Sequence, residues 1–211
     1  MALLLEHREK SCQLAVWMME ESVEELLSLF PSSSKVFYEK EIQQFTTEHR
    51  RLEWLSVRAL LFTLLGEVKK IGYEPSGKPY LEDGSFHVSF SHTKEYVAVI
   101  LSCKASVGID IEHYGERIYR VISRFMRPDE QAFPYQEDVT WGLLLHWSAK
   151  EAIYKCMKDA DADLRKLRLA HFVPQMEGQF QAQEYVTEQN QLFTVRYCIG
   201  ISFVLTWVLE S

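Results

Sequence analysis

Apolar positions along the chain fall into runs whose period changes several times. Residues 12–19 (CQLAVWMM) form a short, mostly apolar run that predicts a strand. Residues 22–30 (SVEELLSLF) predict a short helix opened by Ser22, with Glu25 three positions on, the pattern of a capping box. Pro31 and three serines break it, and a second helical stretch is expected over 34–45. A third spans 47–70, where Leu52, Leu55, Ala59 and Phe62 recur at steps of three and four and draw one apolar stripe. Residues 73–85 are rich in turn formers, with Pro75, Gly77, Pro79 and an Asp83-Gly84 pair that signals a hairpin. Three strands follow, at 86–91, 96–102 and 106–112. The middle one (YVAVILS) is apolar throughout, which places it inside a sheet.

The second half repeats the mixture. A basic helix is expected at 117–126, a short helix opened by Pro128, a loop at 133–138 and a long helix at 139–158. Strands near 180–187, 192–198 and 201–209 complete the chain. Each half thus holds helices and a small antiparallel sheet. The expected class is α+β, two similar α+β subdomains in one chain, with a boundary at 103/104.

Composition narrows the classes. The chain has 211 residues, enough to bury a core without metal or disulfide staples. Its formal net charge of −7 argues against a general nucleic-acid binder, yet leaves room for a phosphate-bearing ligand held by local charge. Cys12, Cys103, Cys156 and Cys198 form no CxxC pair, so zinc spacing is absent and a reduced, cytoplasmic setting is expected. The opening MALLLEHREK is too short for a signal-peptide core, and no apolar run approaches a membrane span.

Candidate chemistry begins with Asp110 and Glu112. Two residues apart on a strand, they project from one face, with Ile109 and Ile111 on the other. Adjacent carboxylates repel unless a cation or solvent separates them, and magnesium, an oxygen-seeking ion, would relieve that repulsion. Taken alone, Asp-x-Glu also describes two solvated acids at an exposed strand end. In WSAKEAIYK (147–155), Glu151 and Lys155 lie four apart on one helical face, with Lys150 beside it. They could form a surface ion pair. Equally, Glu151 could ligate a metal or take a proton, and Lys155 could hold a phosphate oxygen. Ser91 and His92 close a strand, and Gly77-Lys78-Pro79 could hold a lysine out from a rigid loop. Arg117, Arg120, Arg124 and Arg127, spaced three, four and three, would line one face of the basic helix, as a docking stripe or as a solvated face.

The ordered series GKP (77–79), SFSHT (89–93), VGIDIE (107–112), RFM (124–126) with Glu130, and WSAKEAIYK (147–155) resembles the surfactin-synthetase-activating type of 4′-phosphopantetheinyl transferase. RRLEWLSVR (50–58) is similar to that family's arginine-bearing helix, and the likeness covers roughly residues 45–160. Thr93 stands where the family has a second serine. The resemblance implies a pseudo-twofold pair of α+β halves with coenzyme A in the cleft between them. It implies Mg²⁺ held by Asp110, Glu112 and Glu151 with the pyrophosphate, and Lys155 on phosphate. Lys78 with Pro79, Ser91 and His92 would meet the nucleotide, and Arg50 or its neighbour Arg51 the 3′-phosphate. The implied partners are coenzyme A and an acyl, peptidyl or aryl carrier protein, served by a monomer. A magnesium-dependent nucleotide pyrophosphate hydrolase and a non-catalytic carrier-binding module are the alternatives.

Overall fold

A computed structural model of the chain describes residues 2–9, 11–157 and 163–210. The chain divides into two compact units, Met1–Lys104 and Ala105–Ser211. In the first, β1 (Ala2–Arg8) and β2 (Cys12–Met18) pair antiparallel. Then come α1 (Val23–Ser28), α2 (Ser32–Glu41), a 3₁₀ turn (Ile42–Gln44) and α3 (Glu48–Leu65). A ribbon of β3 (Ile71–Tyr73) and β4 (Pro79–Leu81) precedes the hairpin β5 (His87–Thr93) and β6 (Tyr96–Ser102). The main sheet runs β1-β2-β6-β5. All seven residues of β6 are buried, as its apolar run predicted. The predicted capping box is present: Glu25 N–H donates to Ser22 Oγ, and Ser22 N–H to the Glu25 carboxylate.

Three expectations in this half need correction. β1 was not foreseen, because an edge strand owes its order to pairing with β2 rather than to its own pattern. The Asp83-Gly84 pair does make a turn, but β4 pairs with β3 and not with β5. Helix α3 ends at Leu65 and not at 70, because Gly66 takes φ +71°, a left-handed cap that glycine adopts without a Cβ penalty.

In the second unit, β7 (Val107–His113) leads to a 3₁₀ turn (Glu116–Arg120), the single turn α4 (Ile122–Phe125) and α5 (Val139–Cys156). Another 3₁₀ turn (Leu164–Lys166) and β8 (Leu167–Leu169), β9 (Glu177–Glu184), β10 (Leu192–Ile199) and β11 (Phe203–Leu209) follow. The antiparallel sheet runs β7-β11-β10-β9-β8. The basic helix expected at 117–126 is broken at Val121, whose φ −119° and ψ 4° leave the helical region, so the four arginines do not share one face. No helix begins at Pro128. It sits second in a β-turn closed by Glu130 N–H to Arg127 O, where its fixed φ fits. The final residue of the helix expected over 139–158 lies outside the described residues.

The two units share one motif: a strand, a long helix, then a hairpin whose last strand pairs with the first. In the first it is β2, α3, β5 and β6, and in the second β7, α5, β10 and β11. Helix α5 lies against β7 at backbone distance. A Cβ on Gly108 would come 1.8 Å from Ala152 O, so only glycine permits this approach. Among the described residues no helix is long and apolar enough to cross a membrane.

Candidate active site

Gly108 fixes the spacing between β7 and α5, and across it three carboxylates and one ammonium lie near enough to act on one another's charge. From β7 come Asp110, 3% exposed, and Glu112, partly exposed. From α5 come Trp147, Glu151 and Lys155, each four residues from the last and so on one helical face. Lys155 Nζ donates to Asp110 Oδ1 at 2.7 Å and to the main-chain oxygen of Ile109 at 3.2 Å. Trp147 Nε1 donates to Glu112 Oε1 at 2.7 Å. Behind the acids, Ser148 Oγ reaches Asp110 O at 3.3 Å and shares a 2.8 Å bond with Thr206 Oγ1, the residue opposite Asp110 on β11.

The acids act on one another electrically. Burial, then the charge of Asp110, pushes the Glu112 carboxyl up to about 7, against the pull of the Trp147 N–H and Lys155; Glu151 adds to the rise. Burial and Asp110 also raise Glu151, with Lys155 opposing. Both shifts come first from burial and then from the crowding of carboxylates around Asp110. Lys155 supplies one cation. An all-oxygen donor set with charge left over suits a hard divalent ion. Among the described residues the acids do not close into a ready-made metal cage.

Lys150, which sequence reasoning placed beside this face, belongs elsewhere. Its Nζ donates to Glu130 Oε2 and to Phe125 O, both at 2.6 Å, and the two side chains are 0% and 1% exposed. Glu130 also accepts the N–H of Leu169 at 2.8 Å and of Arg127 at 3.0 Å. The pair ties α5 to the segment after α4 and to β8. It also seats the Phe125 ring edge-on to Trp147, centroids 5.5 Å apart.

In the first unit a second cluster forms. Arg50 opens α3 beside Glu53, and His92 comes from β5. Arg50 Nη1 is 2.8 Å from Glu53 Oε2 and 3.1 Å from His92 Nε2, and His92 Nδ1 is 3.0 Å from Glu53 Oε1. These residues line a cavity of about 190 Å³ with Trp54, Arg58 and Pro79. Gly77 lines it too, so Lys78 lies between two lining residues. Arg51 is directed differently, donating from Nε to Phe45 O at 3.0 Å. Ser91 is buried at 7% exposure, and strand alternation sets it on the face of β5 opposite His92.

Sequence reasoning missed Glu53, Trp147 as a partner of Glu112, and the Glu130–Lys150 pair. Two of these left a signal: Arg50/Glu53 and Trp147/Glu151 have the three- and four-residue spacings of helical neighbours. His49 lies 3.3 Å from Glu53 Oε1, and Cys103 is exposed.

Residues 106–202 match the family model described as the 4′-phosphopantetheinyl transferase superfamily. The chain is similar to that superfamily over this stretch, a little under half of its length. A stretch of 161 residues is 28% identical to a protein of Haemophilus influenzae named "Putative 4'-phosphopantetheinyl transferase". The similarity covers 73% of this chain and 66% of that relative, just under two thirds of its length. Within the superfamily match lie Asp110, Glu112, Glu130, Trp147, Lys150, Glu151 and Lys155. The Arg50–Glu53–His92 cluster lies before it.

Proposed function

We propose that the protein transfers the 4′-phosphopantetheine arm of coenzyme A to a serine of an apo carrier protein, with Mg²⁺, releasing 3′,5′-adenosine bisphosphate. The observation that supports this reading is the Lys155–Asp110 pair with Glu112 and Glu151 acting electrostatically on it, on two elements held at backbone contact. Asp110, Glu112 and Glu151 would hold the ion. When bound, it neutralises charge on the diphosphate.

In the reaction, the serine oxygen forms a bond to the β-phosphorus, and the bond from that phosphorus to the bridging oxygen breaks. The electron pair leaves with the adenosine bisphosphate. Glu151 takes the serine proton. Lys155, already directed into the acid cluster, offsets charge on the leaving side. Such chemistry asks mainly for alignment and charge neutralisation. Arg50, Lys78, Pro79 and His92 are proposed to meet the nucleotide end, and Ser91, buried on the opposite face of β5, is not part of that proposal. The exposed Arg117, Arg120 and Arg124 are proposed to attract an acidic carrier, since the protein as a whole is negative. Arg127 is already bonded to Asp129 and to Arg165 O.

The test is mass spectrometry of apo acyl, peptidyl and aryl carrier proteins incubated with the protein, coenzyme A and Mg²⁺. A mass gain of one phosphopantetheine is expected. Coenzyme A cleaved without carrier would point to a pyrophosphate hydrolase instead. Carrier bound without modification or cleavage would point to a binding module.

A further inference from the structure

We infer that Glu53 is a positioning residue that fixes His92 as the Nδ1–H tautomer beside Arg50, so that the cavity takes up a proton when it binds a phosphate dianion. The ligand half of this inference rests on the proposed reading of the cavity as a nucleotide-phosphate site.

The hydrogen-bond roles follow from one rule: a guanidinium only donates. Arg50 Nη1 is 3.1 Å from His92 Nε2, so Nε2 is the acceptor and carries no proton. The ring proton of neutral His92 is then on Nδ1, which donates to Glu53 Oε1 at 3.0 Å. Glu53 Oε2 accepts from the same Arg50 Nη1 at 2.8 Å. The three side chains close a ring, and Glu53 is its hub at 11% side-chain exposure. Glutamine could not replace it fully: one of its two terminal atoms is an N–H₂, and that end would face a donor.

The charges of the ring cancel: one on Arg50, one opposite on Glu53, none on His92. A phosphate dianion arriving there meets no net positive charge and a lone pair on Nε2. One proton on Nε2 changes both facts. The lone pair becomes a donor, the ring gains a positive charge, and Arg50 is released to the incoming oxygens. Glu53 stays on Nδ1 and stabilises the imidazolium. The proton comes from solvent. The other titratable or charged groups around the ring are His49, 3.3 Å from Glu53 Oε1, Arg58 and Tyr73 on the cavity wall, Lys78 in the loop at its rim, and Lys94 and Glu95 in the turn after β5.

The experiment is calorimetric titration of the whole protein with 3′,5′-adenosine bisphosphate at pH 8, in two buffers of different ionisation enthalpy. An unperturbed histidine is mostly neutral at that pH. About one proton taken up per ligand is expected for the native protein. His92→Asn keeps an N–H for Glu53 but cannot protonate. It should bind with no uptake and with affinity lowered roughly tenfold or more. Glu53→Gln should also lose most of the uptake, with His92 still present. Binding by the native protein without uptake overturns the proposal. So does ¹⁵N spectroscopy showing the Nε2–H tautomer of His92 in the free protein, a readout independent of any ligand and of any substitution that impairs folding. No binding of the nucleotide alongside the Nδ1–H tautomer would overturn the phosphate assignment of the cavity, and with it the proton uptake inferred here, while leaving the acid cluster's proposed transfer chemistry to its own test.

Discussion

Helix α5 carries two lysines, and each holds an acid at nearly the same distance: Lys150 to Glu130 at 2.6 Å and Lys155 to Asp110 at 2.7 Å. Their surroundings differ in every other respect. Lys150 is sealed, and Glu130 is matched by two backbone donors besides. Burial pulls the Lys150 ammonium down, and Glu130 pulls it back. Lys155 is 28% exposed and faces a surplus of carboxylates. The first pair has one possible arrangement. The second can exchange partners when a cation or phosphate arrives. Similar bond lengths therefore conceal different roles, and solvent access with local charge balance separates them.

The largest expected effect is on the sealed pair. Lys150→Met should lower stability by about 3–5 kcal/mol, because it strands a buried carboxylate. Urea unfolding with and without Mg²⁺ should give the same loss. A cost under about 1 kcal/mol would put the pair in the class of exposed ion pairs and erase the contrast. Next, Lys155→Met should lower the transfer rate by roughly 10²–10³, as removal of a group that stabilises developing charge does. Its stability cost should shrink when Mg²⁺ is added, since the ion replaces the missing charge. An equal cost in both conditions would mean that the two lysines do the same job.

Trp147→Phe sharpens the comparison on the active face. It keeps the ring beside Phe125 and deletes the N–H that Glu112 accepts. Activation by Mg²⁺ should weaken by roughly 10–100-fold, the usual cost of losing a ligand's outer partner. Unchanged activation would remove Trp147 from the site. The smallest effect is a pH dependence. With Glu112 raised to about 7, the folded protein keeps a proton that the unfolded chain releases near the ordinary carboxylate value. Stability should therefore fall as pH rises through that window in cation-free buffer. Mg²⁺ should offset the fall. Thermal melts from about pH 5 to 8, native protein against Glu112→Gln, measure it; identical profiles would sink the assignment.

Features with short-range rules were readable from the residues. The apolar run of β6, the capping box of α1 and the face shared by Glu151 and Lys155 each depend on neighbours within one turn or one strand. Features whose cause lies far along the chain were not. Glu130 meets Lys150 across 20 residues, and Arg50 meets His92 across 42. Neither distance has a sequence period. The break at Val121 was hidden for another reason: a basic, moderately apolar stretch satisfies a helical pattern, and only the packed chain shows it splitting into two single turns. That Arg50 lines the cavity while Arg51 bonds the Phe45 carbonyl likewise has no signal in the sequence.

Gly108 has a consequence for how the acid cluster can vary. With the α5 backbone already touching the strand there, the gap between β7 and α5 is at its mechanical minimum. Even a methyl group would act as a shim, lifting Trp147, Glu151 and Lys155 together away from Asp110 and Glu112. The tolerances of the whole cluster are thus set by one missing side chain that makes no chemical contribution of its own.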